Sequence, residues 1–277
     1  MPSLIQKLWR LSPASAAEFI ARRLRPAPAS QRAWVKVRRG PLQGHELLLD
    51  TPDAPPWKEM ADGEYDGFFF ETLNKAGSLQ GAVIWDIGTH FGYNALSFAA
   101  LVGDGGQVLA FEPNPANYAH LQQHLRRNPI LAKRIQAFPK AVSITNGETE
   151  FTFSSNLASG ESSCSYVKDS VTPFNPDHYG QFEKRVVPTV SLPSIQELGD
   201  GRPPKVIKID VEGAEQLVLE GGLQFLAQHR PFLFIEVHHI RLLFYIQPLL
   251  IECGYKLALA GEEHSAPSRC FLWASPA

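Results

Sequence analysis

From Ala82 onward, short apolar runs alternate along the chain with stretches of helical periodicity: AVIWDI, a helix over 92–102, QVLAFE, a helix over 115–127, then RIQAFPKAV. Runs that are apolar on both faces and separated by helices predict a parallel sheet covered on two sides. After Val142, ETEFTFSS and RVVPTVSL read as added strands flanking residues 154–180, a stretch rich in Ser, Asn and Pro. A polar loop of that length inside an α/β domain points to a substrate cover or to disorder. Alternation resumes with KVIKIDV, a helix over 213–228, PFLFIEV, a helix over 240–252, YKLALAG and RCFLWAS. Only residues 261–268 separate the last two runs, too few for a helical crossover, so they predict an antiparallel hairpin and one reversed strand at the sheet edge.

Ahead of this pattern, AWVKVRRG and HELLLD read as two strands around a Gly-containing turn, and GEYDGFFFETLNKAG as a short amphipathic helix ended by Gly77. The chain therefore divides into a basic extension over 1–40, strands and a helix over 41–80 that pack on the core, and a main domain over 81–277. No internal repeat is present. With 277 residues the chain is long enough to bury a substantial core.

Charge narrows the partners. The formal net charge is −2, so the protein as a whole is no electrostatic match for nucleic acid. Residues 1–39 nevertheless carry nine Lys or Arg against the single acid Glu18. Leu4, Ile5, Leu8, Leu11, Phe19, Ile20 and Leu24 have helical spacing there. Three readings fit: a solvated basic helix packed on the main domain, a helix making peripheral contact with a membrane surface or a partner, or an organelle transit peptide. No stretch reaches the roughly 18 apolar residues of a membrane span. Cys164, Cys253 and Cys270 lack metal-ligand spacing and form no disulfide framework, which fits a reducing cytoplasm.

In open α/β sheets, ligands bind beyond the carboxyl ends of the strands, where the strand order reverses. The stretch WDIGTHFG places Asp86 just before Gly88 and Gly92 at such an end. The glycines allow a sharp turn and a close approach of ligand to backbone N–H groups. A nicotinamide dinucleotide usually takes G-x-G-x-x-G here. This chain has G-x-x-x-G, and the Asp86 carboxylate would repel a pyrophosphate. In LAFEPNP, Glu112 ends the next strand twenty residues after Gly92, where an acid accepts from both ribose hydroxyls. A nucleoside carrying ammonium and sulfonium charge but no phosphate satisfies both observations, and S-adenosylmethionine is such a molecule.

Together VIWDIGTHFGYNALSFA, VLAFEPNPANYAHLQQHL, FPKAVS, PTVSLPSI, VIKIDVEGAEQLVLEGG and PFLFIEVHH resemble the FkbM family of S-adenosylmethionine-dependent methyltransferases, from about Gly63 to Val237. The resemblance implies a Rossmann-like class I methyltransferase fold: a mostly parallel seven-stranded sheet with a reversed edge strand, helices on both faces, an N-terminal helix and small β additions. It implies O-methylation of a hydroxyl on a sugar, glycan or other small-molecule natural product. On matching positions, it places Asp86, Gly88 and Gly92 around the methionine part, Glu112 at the ribose and Ala141 near the adenine. Thr89, His90, Pro113, Asn114 and Asp210 complete the candidate cofactor contacts. Family members commonly have Ala-Asn between the two glycines; here Thr89, His90 and Phe91 stand there, and His90 either lines the turn or touches the ligand.

Two further strand ends carry chemistry. In KIDVEGAE, Asp210 and Glu212 point to one side of an extended backbone, and Glu236 and His238 have the same spacing in FIEVHH. A hydroxyl is a poor nucleophile, so methyl transfer gains from a base, for which His238 or Glu212 is suited. The same four groups also suit a divalent metal such as magnesium, and no metal ligand is assigned from spacing alone. Glu215 reads as a first-turn acid stabilising a helix start. Two other classes remain: a nicotinamide oxidoreductase, opposed by the missing third glycine and Asp86, and a binding protein without catalysis, for which four polar groups at adjacent strand tips are more than binding requires.

Overall fold

The computed structural model describes residues 32–50, 53, 55–154, 165–171, 182–262 and 270–277. The expected basic helix of residues 1–25 and most of the polar stretch 154–180 lie outside the described residues. The elements, in chain order, are β1 (Ala33–Lys36), β2 (Glu46–Leu49), α1 (Trp57–Asp62), α2 (Gly67–Leu73), β3 (Val83–Ile87), α3 (Tyr93–Val102) and β4 (Gln107–Phe111). Then come α4 (Pro115–Arg127), α5 (Pro129–Ala132), β5 (Ile135–Phe138), β6 (Ala141–Val142), β7 (Gly147–Ser154), β8 (Tyr166–Val167), β9 (Phe182–Val190) and α6 (Leu192–Leu198). The chain ends with β10 (Val206–Ile209), α7 (Glu215–Glu220), α8 (Leu223–His229), β11 (Phe232–Val237), α9 (Ile240–Glu252), β12 (Tyr255–Glu262) and β13 (Cys270–Pro276).

Seven strands form the main sheet in the order β12-β13-β11-β10-β3-β4-β5. β11, β10, β3, β4 and β5 run parallel, while β13 is antiparallel to both β11 and β12. The reversed strand thus lies one place in from the edge, not at it. Helix α9 carries the chain past a vacant strand position to β12, and the hairpin return then fills that gap. Burial of Leu272, Trp273 and Ala274 is consistent with a strand covered on both faces.

Alternation along the strands sorts the core into two layers. On one face Trp85, Ile87, Leu109, Ile207, Ile209 and Ile235 pack against Ile195, Val218, Phe225 and Leu242 from α6, α7, α8 and α9. On the other, Ile84, Val108, Val206 and Phe234 meet Phe69 and Leu73 of α2 and Leu96, Phe98 and Val102 of α3. Burying one such aliphatic or aromatic side chain stabilises the fold by roughly 1.5–3 kcal/mol, so α2 belongs to the same core as the sheet.

Two expected elements divide. RIQAFPKAV supplies both β5 in the main sheet and β6 in a four-stranded sheet ordered β6-β9-β7-β8; Pro139, which has no N–H, falls between them. The helix expected over 213–228 breaks into α7 and α8 at Gly221–Gly222, where the backbone of Ser143 and Ile144 passes too close for a side chain. β1 pairs along its length with β2, so this hairpin crosses the boundary drawn at residue 40. It docks on α4 through two buried histidines: the Leu48 N–H donates to Nε2 of His124 at 2.8 Å, and His120 Nε2 lies 2.8 Å from the Leu48 carbonyl. Among the described residues no helix is long and apolar enough to cross a membrane.

Candidate active site

The strand tips of β3, β4, β10 and β11 bring together nearly all the sequence-predicted polar residues. Asp86, on β3, is fully buried and stands directly across from Lys208 on β10. The Thr89 hydroxyl donates to Asp86 Oδ2 at 2.6 Å, and Lys208 Nζ lies 3.6 Å from Oδ1, which accepts no hydrogen bond from a described residue. Burial raises the Asp86 carboxyl above its ordinary range, opposed by Lys208 and Thr89. Lys208 also donates to Asp210 Oδ2 at 3.0 Å. Burial works against its charge, but Asp210 and Asp86 outweigh that and hold it above the ordinary lysine range.

The turn after β3 is not an anion cradle. The N–H groups of Gly88 and Thr89 both donate to the Phe111 carbonyl at 3.0 Å, that of His90 to Glu112 Oε2 at 2.8 Å, and that of Gly92 to the Thr89 carbonyl at 2.9 Å. Its backbone donors at these four positions are spent inside the protein, and an acid is buried next to them. Both features disfavour a pyrophosphate. Gly88 is bare for a packing reason: at φ +79° its Cβ would fall 1.7 Å from the Asp210 carbonyl oxygen. Gly92 faces a Leu121 side-chain carbon at 2.3 Å in the same test. The two glycines let β3 and β10 close together and α4 pack beneath the turn.

Glu112 follows β4 and is buried. It accepts from the N–H of Asn114 at 2.9 Å and of His90 at 2.8 Å, and from Asn117 Nδ2 at 3.5 Å. Burial nevertheless pushes its carboxyl up to about 7. A carboxylate has about four lone-pair sites, so a further donor such as a ribose hydroxyl can be accommodated. His90 sits half-buried in the left-handed region at φ 54°. Burial lowers its pKa to about 4, with Asp210 opposing and Lys208 adding to the shift, so the ring is neutral near pH 7. Asn114 is the N-cap of α4, accepting from the Ala116 N–H at 3.0 Å. Pro113 is partly buried between Glu112 and this cap. Ala141 is buried in a third apolar cluster with Phe151, Phe153 and Val187.

At the other two tips His238 is the hub. It is 3% exposed, and its Nε2 lies 3.5 Å from Asp210, 3.4 Å from Glu212 and 3.3 Å from Glu236. Behind it, Nδ1 is 2.6 Å from Glu215 Oε1, which also accepts from the Gly213 N–H at 3.1 Å. Burial disfavours the charged ring, but Glu212, Glu215 and Asp210 outweigh it and lift the pKa to about 10. Glu215 is therefore more than a helix-start acid: it fixes the orientation of the imidazole. His239 caps α9 by accepting from the Arg241 N–H at 3.1 Å.

Residues 165–171, the described part of the middle of the polar stretch, lie against this crevice. Asn114 Nδ2 donates to the Ser165 hydroxyl at 3.3 Å, and the Val171 N–H to the Gly213 carbonyl at 2.9 Å. Sequence reasoning did not single out Lys208. A lysine at the centre of an apolar strand, two residues from Asp210, was its only signal.

These strand tips define a Rossmann-like α/β domain with its crevice at the carboxyl edge of the sheet. Residues 86–257 match the methyltransferase FkbM domain, and the chain belongs to that family. It is similar to the hexuronic acid methyltransferase AglP of Haloferax volcanii, 29% identical over 156 residues that make up 56% of each protein. The chain thus spans little more than half the length of that relative. Among solved structures, methyltransferase FkbM from Methylobacillus flagellatus KT aligns with a TM-score of 0.48 at 19% identity over 69% of this chain and 43% of that one. Fibrillarin of Aeropyrum pernix, solved with natively bound S-adenosyl-L-methionine, aligns with a TM-score of 0.43 at 11% identity over 74% of each.

Proposed function

We propose that this protein transfers a methyl group from S-adenosylmethionine to a hydroxyl of a sugar or sugar-bearing natural product. The observation that carries the reading is the pair of buried acids, Asp86 and Glu112, on either side of a turn whose N–H groups are already spent. Such a site favours a cationic nucleoside over a phosphorylated one. When bound, S-adenosylmethionine supplies an electrophilic methyl group on a sulfonium centre. Asp86, with Oδ2 held by Thr89 and Oδ1 free of a hydrogen bond to a described residue, supplies negative charge beneath the cationic end of the methionine part, and Glu112 accepts from the ribose. Gly88 and Gly92 bring these two acids within reach of one ligand, and Ala141 belongs to the adenine side.

Asp210, Glu212, Glu236 and His238 hold the acceptor at the adjoining tips. With Nδ1 tied to Glu215, His238 is an orienting group and not the free base. Glu212 takes the hydroxyl proton. Positioning does most of the work, because orienting two reactants can lower a barrier by about 7–11 kcal/mol.

The acceptor class takes support from the Haloferax relative, whose name specifies a hexuronic acid. The test is incubation with methyl-labelled S-adenosylmethionine and a panel of uronic acids and neutral glycosides. An alkali-stable methyl ether is expected. An alkali-labile ester would replace the hydroxyl with a carboxylate acceptor, and the absence of transfer to any sugar would overturn the substrate reading.

A further inference from the structure

We infer that Asp210, Glu236 and His238 form a divalent-cation site of the magnesium or manganese type. One donor atom from each lies within 4.8 Å of the other two. With metal–ligand bonds of about 2.1–2.4 Å, neighbouring octahedral ligands sit roughly 3.0–3.4 Å apart and opposite ones roughly 4.2–4.8 Å apart. The imidazole Nε2 is 3.3 Å from Glu236 and 3.5 Å from Asp210, so the donors stand close to coordination spacing and need only small shifts.

A second feature points the same way. His238 is almost wholly buried and aims Nε2 into this group, yet that atom makes no hydrogen bond to a described residue. Its other nitrogen is held by Glu215, which is itself anchored on the Gly213 N–H. A carboxylate behind the imidazole is the arrangement that fixes metal-binding histidines and raises their basicity. The two oxygens of Asp210 divide the labour: Oδ2 takes the Lys208 ammonium while Oδ1 faces the imidazole. Two carboxylates and one imidazole form a mixed donor set that manganese accepts readily, and magnesium favours the carboxylates.

The role of the cation rests on the methyl-transfer reading, though its binding does not. A hydroxyl placed against it loses its proton more easily. That proton passes to Glu212, 3.4 Å from the imidazole, and the oxygen keeps the electron pair that forms the new O–C bond as the C–S bond breaks.

The test is titration of the metal-free full chain with Mn²⁺, followed by electron paramagnetic resonance without any cofactor. One bound Mn²⁺, displaced by Mg²⁺, is expected. Glu236→Gln and His238→Ala should each weaken it at least about tenfold, and Glu215→Gln by about 10–100-fold, with circular dichroism confirming that each variant is folded. No bound Mn²⁺ at millimolar concentration overturns the site, as does unchanged affinity in folded Glu236→Gln. Affinity for S-adenosylmethionine, measured separately in EDTA, distinguishes failure of this inference from failure of the methyltransferase reading.

Discussion

Replacing Lys208 with Met removes the buried cation that lies against both Asp86 and Asp210. Lys208 is 4% exposed and Asp86 0%, with the ammonium 3.6 Å from Asp86 and 3.0 Å from Asp210. Methionine preserves the apolar stem but leaves the fully buried Asp86 carboxylate facing that of the partly exposed Asp210 without a cation between them. Removing one partner of a buried ion pair costs roughly 3–5 kcal/mol. The deficit should also depend on pH, with a sign set by the carboxylates. Without the ammonium the folded-state pKa of Asp86 rises further above the unfolded value, so the cost is larger at pH 7 than at pH 5. It shrinks as pH falls through the raised folded pKa of Asp86, because the folded protein then takes up a proton that the unfolded chain does not. Urea unfolding of both proteins at pH 7 and pH 5 measures the effect, and adding Asp86→Asn to the variant should recover part of it. A deficit under about 1 kcal/mol at pH 7, or one that does not change with pH, would refute the assignment of Lys208 as the electrostatic clamp between β3 and β10.

Gly88→Ala should destabilise more than Gly92→Ala. The first must relieve a 1.7 Å approach to the Asp210 backbone carbonyl, whereas the second meets the movable end of Leu121; the left-handed backbone adds about 1–2 kcal/mol to either. Thermal melting checks the order. His124 is held neutral, accepting from Leu48 N–H at Nε2 while Nδ1 faces the Phe91 carbonyl at 2.8 Å, and burial lowers its pKa to about 3. Its contribution is whole above the unfolded value near 6.5 and is lost as pH falls toward 3, because only the unfolded chain takes up the proton. Between pH 7 and pH 5 the wild type should therefore lose about 2 kcal/mol more than His124→Gln in urea unfolding. Equal losses would show that the ring is not buried in neutral form.

The sheet was legible because its strands are apolar on both faces, and the acids at its tips because ligands in such folds meet the carboxyl ends of strands. Position within the sheet was less so. The pattern around RCFLWAS requires a hairpin with YKLALAG but is silent on which of the two lies outermost, and contacts with β11 decide that. In the site, Lys208 was hidden because a single lysine in VIKID does not reveal that its face is the buried one. Glu215 was hidden because a helix-start acid needs no partner; its bond to His238, 23 residues away, is a tertiary fact. The glycines were found, but their packing role was not: their missing side chains admit Asp210 and Leu121.

The most direct test of the cofactor assignment is calorimetric titration of the wild type, Glu112→Gln and Glu112→Ala with S-adenosylmethionine and, separately, with NAD. Leaving a buried hydrogen-bonding group without its partner costs about 1–3 kcal/mol, so Glu112→Ala should lose at least about fivefold in affinity, with Glu112→Gln between it and the wild type. NAD should not bind. Tight binding of NAD, or undiminished S-adenosylmethionine affinity in a folded Glu112→Ala, would contradict the account.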